Sequence, residues 1–130
     1  NEAAIAKISQ ALVVDSFDEL FSNLDSTKIR DYYTEDFLLL ENGLLWTNDS
    51  IVDFQRRYSR NAERTIRLNK IDFISTKVSA ESVWMAYHNT ATFWKDEEQI
   101  GEAYWMESAV AVKKEEGWRL EMLHSTYVKK

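Results

Sequence analysis

Glu107 and His124 are the pair of residues best placed by type and spacing to move a proton. Glu107 falls in a strand-like segment, residues 102–114, and His124 in another, residues 118–128. The turn around Glu115-Glu116-Gly117 joins the two as a hairpin. Period-two alternation groups Trp105, Glu107, Ala109 and Ala111 with Trp118, Leu120, Met122, His124 and Thr126. A two- or four-residue turn keeps these sets on one face, whereas a three-residue turn mixes them. With the sets intact, Glu107 and His124 lie nearly opposite each other. A carboxylate beside an imidazole raises the histidine pKa and fixes its tautomer, as in an oriented general base. The same pair also reads as a buried histidine satisfied by one hydrogen bond, with no chemistry.

Other chemistries are narrowed by composition. The chain has no Cys, which removes disulfides, thiolate metal sites and a cysteine nucleophile. It has two His, and His88 stands at opposite parity to Asn89, pointing away from His124, so no metal site is expected and no cofactor is implied. The net charge of -6 argues against a nucleic-acid partner, which needs a concentrated basic surface. The cluster Arg56, Arg57, Arg60, Arg64 and Arg67 is the local exception, and it reads as a solvated helix face. No apolar run approaches the roughly 18 residues that span a membrane, so no membrane partner is expected. The chain opens at Asn1 instead of Met. A trimmed or processed form is therefore expected, soluble, and either cytoplasmic or exported after loss of a signal peptide.

The elements that must position these residues follow from periodicity. At 130 residues, without Pro and with three Gly, the chain predicts a single domain and no linker. Ile5, Ile8, Leu12, Val13, Phe17, Leu20, Phe21 and Leu24 recur at helical spacing, predicting one amphipathic helix over residues 2–24. Asp25-Ser26-Thr27 reads as a stop and an N-cap for a short helix ending at Tyr33. Residues 37–41 and 44–46 flank Asn42-Gly43, a pair suited to a type I′ hairpin turn. Thr47-Asn48-Asp49-Ser50 offers caps for a third helix from Ile51 to about Asn61. Four strands follow, at 66–75, 82–95, 102–114 and 118–128. The first shows an alternation slip near Asn69-Lys70 that suggests a bulge. Helices and a small hairpin followed by long strands give an α+β fold, with helices on one face of a curved antiparallel sheet.

The closing hairpin, Trp105-Met106-Glu107-Ser108 through Lys113-Lys114-Glu115-Glu116-Gly117-Trp118-Arg119-Leu120 to Leu123-His124-Ser125-Thr126, resembles that of nuclear transport factor 2-like proteins. The likeness is strongest to SnoaL-like small bacterial proteins and to the association (hub) domain of calcium/calmodulin-dependent kinase. Tyr33-Thr34-Glu35-Asp36-Phe37 and Ser50-Ile51-Val52-Asp53-Phe54 fit the same pattern, and the likeness covers nearly the whole chain. It implies a cone-shaped, cystatin-like α+β domain whose concave pocket takes the Glu107 set. The hub's pocket arginines fall at Ala109 and Asn89 and its histidine at Gln55, so its anionic-ligand site is not carried over. Similarity to ketosteroid isomerase places Glu41 near the proton-shuttling carboxylate. That enzyme's enolate-binding tyrosine falls at Phe17, which leaves the oxyanion site without its donor. Glu41 also precedes Asn42-Gly43, where a solvated acid is ordinary.

The pocket lining expected on this basis is Trp46, Tyr87, Trp105 and Trp118 as aromatic wall, and Gln55 and Asn89 as neutral hydrogen-bonding groups. Ala109, Met122 and Thr126 complete it. Such a lining suits a small, mostly apolar ligand. Trp84, Trp94, Tyr104, Met106, Val110, Val112, Leu123 and Tyr127 are expected on the convex face as a homodimer interface. Three functions fit. One is a homodimeric domain that binds a small ligand without turnover. Another is an acid–base enzyme of isomerase, dehydratase or epoxide hydrolase type using Glu41, Glu107 and His124. A third is an oligomerisation or scaffold module.

Overall fold

The computed structural model describes residues 1–59 and 65–130. Helix α1 runs over Glu2–Ser16 and is capped by the Asn1 side chain, which accepts from the Ala4 amide at 2.9 Å. The expected long helix does not continue unchanged. From Phe17–Ser22 the chain widens into a π-helical turn, in which the Asn23 amide reaches the Asp18 carbonyl five residues back at 2.8 Å. Leu24 then takes a positive φ and ends the run. A short 3₁₀ turn, Ser26–Lys28, leads into α2, Ile29–Tyr32. The cap of the 3₁₀ turn is Asp25, whose carboxylate accepts from the Thr27 amide.

Strand β1 spans Tyr33–Glu41 and turns through Asn42-Gly43 into β2, Leu44–Trp46. Both turn residues have positive φ, which Asn and Gly tolerate best. Helix α3, Asn48–Ser59, follows. Of its expected basic cluster, Arg60 and Arg64 lie outside the described residues, as does the expected end at Asn61. Strands β3 (Ile66–Val78), β4 (Ser82–Lys95), β5 (Glu98–Lys114) and β6 (Gly117–Val128) complete the chain. Strand β5 begins four residues before its expected start. Asp96 and Glu97 adopt positive φ and make a two-residue turn that lacks the usual Gly or Asn signal.

The six strands form one sheet in the order β2-β1-β6-β5-β4-β3. All neighbours are antiparallel except β1 and β6, which run parallel, so the α+β fold is as expected while its sheet is mixed. The concave face carries the core. Val13, Phe17 and Leu20 from the first helical run meet Tyr33, Phe37 and Leu39, then Val83, Met85 and Tyr87, and close on Ala109, Ala111, Leu120 and Leu123. No helix among the described residues is long and apolar enough to cross a membrane.

Two bulges set which side chains face inward. In β3 the register shifts between Phe73 and Ser75, not at Asn69-Lys70 as expected, and leaves Ile74 outside. In β6 it shifts because Ala111 pairs with Leu120 while Val110 pairs with Met122, so Glu121 is the extra residue. The hairpin turn has two residues, as the intact sets require, but the bulge then exchanges the faces of everything after it. Leu123 and Ser125 therefore point into the core, whereas Met122, His124 and Thr126 point out. Leu123, expected on the convex face, is 2% exposed and packs in the centre of the domain. Leu123→Ala should accordingly lose about 3 kcal/mol of unfolding free energy and Met122→Ala less than about 1 kcal/mol, measured by chemical denaturation. Comparable losses would put β6 in the other register.

Candidate functional site

The inward row of the sheet at mid-height reads Glu41, Ser125, Glu107, Tyr87 and Phe73, each directly opposite the next on paired strands. Glu107 is 5% exposed. The Ser125 hydroxyl donates to its Oε2 at 2.6 Å, and the Asn89 amide donates to Oε1 at 3.3 Å. The buried Tyr87 hydroxyl sits against the same carboxylate without hydrogen-bond geometry. Burial pushes the Glu107 pKa up to about 7, against the Ser125, Tyr87 and Asn89 contacts that pull it down, with Glu41 adding to the rise. Burial also raises Glu41, while the Ser125 hydroxyl, Arg67 and the Trp105 indole oppose the rise. A hydroxyl flanked by two carboxyl groups can donate a hydrogen bond to one while accepting a hydrogen bond from the other when that one is protonated.

Above this row lies a cavity of about 120 Å³. Phe17, Phe21, Trp46, Phe54 and Trp105 form its walls, Leu39 and Leu123 part of its floor, and Glu41, Glu107 and Arg67 its polar end. The π-helical turn brings Phe17 and Phe21 to the same side, their ring centroids 5.5 Å apart. Phe21 meets Phe54 at 5.5 Å, and Phe54 meets Trp46 at 5.7 Å and the half-exposed Tyr58 at 4.6 Å. The aromatic series thus runs from the interior to the surface.

Arg67 is the site residue that sequence reasoning misassigned. It stands on β3, not on a solvated helix face, and its guanidinium lies 5.2 Å from the Trp105 ring centroid. Phe17, Phe21 and Phe93 surround it at 5.8 to 6.0 Å. Its Nε donates to Asn69 Oδ1 at 2.7 Å, and the Asn69 amide donates in turn to Asp18 at 3.0 Å and Ser22 at 2.7 Å. Burial lowers its pKa, countered by the charges of Glu107, Glu41 and Asp18. A legible signal existed: residues 67, 69, 71 and 73 share one parity, and Ile71 and Phe73 belong to the core face.

The remaining expected site residues divide. Glu41, Glu107, Trp46 and Trp105 meet at the cavity. Tyr87 and Asn89 support Glu107 from beneath, and Ala109 is buried deeper in the core. Gln55 is buried but committed to structure, donating to the Leu20 carbonyl of the π-turn at 3.0 Å. Trp118 packs against the core away from the cavity. Met122, His124 and Thr126 are not pocket residues, because the Glu121 bulge turns them to the convex face. His124 pairs with Ser108 and is exposed, so the expected Glu107–His124 pair does not form. On the convex face, Trp84, Val110 and Met122 align across three strands, with Leu38 next in line. Tyr104, Met106, Val112 and Trp94 also lie there, whereas Tyr127 shares the inward parity of Trp105, with ring centroids 6.0 Å apart. Among the described residues no group of three or more potential metal ligands converges.

A cone of curved sheet closed by three helices, with a cavity under the first and third, defines the nuclear transport factor 2-like, cystatin-like fold. The chain superposes on a ketosteroid isomerase-like protein from Erwinia carotovora with a TM-score of 0.72 at 14% identity, covering 100% of this chain and 98% of that one. A nuclear transport factor 2-like protein from Cytophaga hutchinsonii gives 0.71 at 12% identity, covering 98% and 99%. ActVI-ORFA from Streptomyces coelicolor gives 0.70 at 14% identity, covering 88% and 87%. No family model matches the sequence, and no curated protein does. At these identities the likeness establishes the fold.

Glu107 also makes stability depend on pH. Its folded pKa of about 7 exceeds its ordinary 4.5, so the folded state binds the proton more tightly than the unfolded chain. Stability contributed by this group is present in full below pH 4.5 and is lost as pH rises through about 7, by on the order of 3 kcal/mol. Urea denaturation across that range should show the decline in the wild type and a flatter profile in Glu107→Gln. Parallel profiles would mean that Glu107 titrates normally.

Proposed function

We propose that this protein binds a small, mostly apolar molecule in the concave cavity, polar end towards Glu41, Glu107 and Arg67, and works as a homodimer through its convex sheet face. The observation that carries the reading is the composition of the cavity: five aromatic walls enclose one cluster of ionisable groups at a single end. Sites that bind small ligands combine apolar surface with a few convergent polar groups in this manner. The volume of about 120 Å³ fits a single ring or a short chain. The dimer reading rests on the outward row of Leu38, Met122, Val110 and Trp84, exposed at its two ends and part-buried between them, with Met106 beside it at 51% exposure.

A second reading is favoured by Glu107 itself. A buried carboxylic acid near half-protonation at neutral pH, one strand from a hydroxyl and two from a second acid, suits proton transfer. In that case Glu41, the more open of the two acids, takes the proton, and the protonated Glu107 donates to the oxygen that gains charge. His124 has no part in it. The ketosteroid isomerase-like relative in fold makes an enolisable carbonyl compound the first substrate class to try.

Native mass spectrometry of the purified protein addresses the binding reading, with a reproducible adduct of single-ring size on a dimer as the expected result. Failure of the cavity to take up any single-ring compound by ligand-observed NMR would sink it. Should turnover be found, Glu41→Gln and Glu107→Gln are each expected to reduce kcat by about 10² to 10⁴-fold, whereas for a binding site they shift affinity alone. Val110→Glu should convert the dimer to monomer in analytical ultracentrifugation, and a dimer that survives it does not use this face.

A further inference from the structure

Arg67 presents its charge to the cavity in an unusual state. Only its Nε edge is engaged, through Asn69, which is held by Asp18 and Ser22. The two outer nitrogens carry four N–H bonds, and none donates to an acceptor among the described residues. No carboxylate among the described residues comes within 4.0 Å of them. A guanidinium part-buried among rings, with outer nitrogens that meet no acceptor among the described residues, loses part of its hydration, and a partner of matching geometry in the cavity offsets that loss. Its fixed, planar fork matches a carboxylate, which accepts two parallel hydrogen bonds. The anchoring through Asn69 holds the plane of that fork in place before any ligand arrives.

Charge balance decides how an anion is tolerated beside two acids. Arg67 and Glu41 together cancel, which leaves Glu107 to set the net charge. The groups facing Glu107 are Glu41 and Tyr33 from β1, Arg67 from β3, Tyr87 and Asn89 from β4, and Ser125 from β6, with Asp18 of the π-turn acting through Arg67. Of these only Arg67 is cationic. An anion added to the same cavity therefore disfavours the charged form of Glu107 and favours its neutral acid. Neutral Glu107 also gains a donor that the ionised form lacks.

We infer that the outer edge of Arg67 docks the carboxylate of a small monocyclic organic acid, whose ring lies among Phe17, Phe21, Phe54 and Trp105, and that Glu107 takes up one proton as the acid binds. This rests on the small-ligand reading of the cavity and names its ligand class. The site binds an organic acid as anion plus proton, so its affinity rises as pH falls, although the ligand itself stays ionised.

Benzoate and benzyl alcohol, matched in ring and size, test it on the intact protein by isothermal titration calorimetry. Benzoate should bind at least about tenfold more tightly than the alcohol at pH 6, the order of one charge-assisted contact. Its affinity should weaken by about fivefold to tenfold between pH 6 and pH 8, and at pH 7 two buffers of different ionisation enthalpy should report about half a proton taken up. Arg67→Gln should abolish the preference for benzoate and leave the alcohol unaffected. Arg67→Lys, which keeps the charge without the fork, covers the case in which the glutamine variant does not fold, and should weaken benzoate alone. Glu107→Gln should retain benzoate binding with a flat pH profile. Equal binding of the two probes, or a preference that survives in Arg67→Lys and Arg67→Gln, overturns the Arg67 assignment and leaves the small-ligand cavity standing. Benzoate binding without proton uptake overturns the role of Glu107. If neither probe binds, the cavity reading fails and this inference with it.

Discussion

The Glu107 carboxylate lies at the centre of the sheet beneath a helical cover, where an ionised acid is strongly disfavoured, and much of the domain is arranged around that constraint. Ser125 and Asn89 spend their donors on it from the two neighbouring strands. Tyr87 occupies the next place in the row. These contacts do not restore an ordinary pKa. They leave the group near half-protonation at neutral pH, a balance that needs both the burial and the donors. A structural acid gains nothing from such a balance, since an amide or an apolar side chain of similar volume would fill the place at lower cost. That asymmetry is the strongest physical reason to regard the row as a site.

The helical cover has its own adjustment to the same end. A regular helix through Phe17–Ser22 would not carry the five-residue spacing seen between Asp18 and Asn23, and the wider turn presents Phe17 and Phe21 together to the cavity while Leu20 stays in the core. The turn also places Asp18 and Ser22 where they hold Asn69, and through it Arg67. Gln55 from α3 completes the arrangement by donating to the Leu20 carbonyl. One local irregularity therefore shapes the apolar walls and orients the part-buried Arg67. A polar group at each end of this chain is buried or partly buried, which makes the chain specific in geometry and intolerant of single losses.

Much of this was legible in the sequence, because fold class depends on periodicity, and Ile5 to Leu20, the Asn42-Gly43 turn and the long alternating strands express it without ambiguity. Glu107, Glu41, Trp46 and Trp105 were legible for the same reason, each lying in a stretch of clean pattern or matching a position in the resembled fold. His124 was not, since one added residue reverses parity and the sequence marks Glu121 faintly. The consecutive apolar pair Met122-Leu123 breaks the alternation and is the sign that a bulge precedes it. Arg67 was misassigned because five arginines between residues 56 and 67 look like one helical face, although the last of them already belongs to β3. Its parity with Ile71 and Phe73 outweighs its proximity to Arg56 and Arg57. In both cases the deciding information was the phase of a strand, which the residue types alone leave open by one step.

A few polar side chains set among apolar ones give this cavity its electrostatic character. Asn89 serves as a neutral donor to Glu107, and Ala109 is buried and apolar. The cation at this cavity stands on the edge strand β3, where Arg67 lies over Trp105. The core residues Leu39, Met85 and Leu123 pack in an apolar cluster that does not include Arg67. One fold can host many ligands without altering its strand order, by way of the few charges set inside it. In this chain those charges are Glu107, Glu41 and Arg67, and the chemistry available to the protein is what these three can do across one apolar cavity.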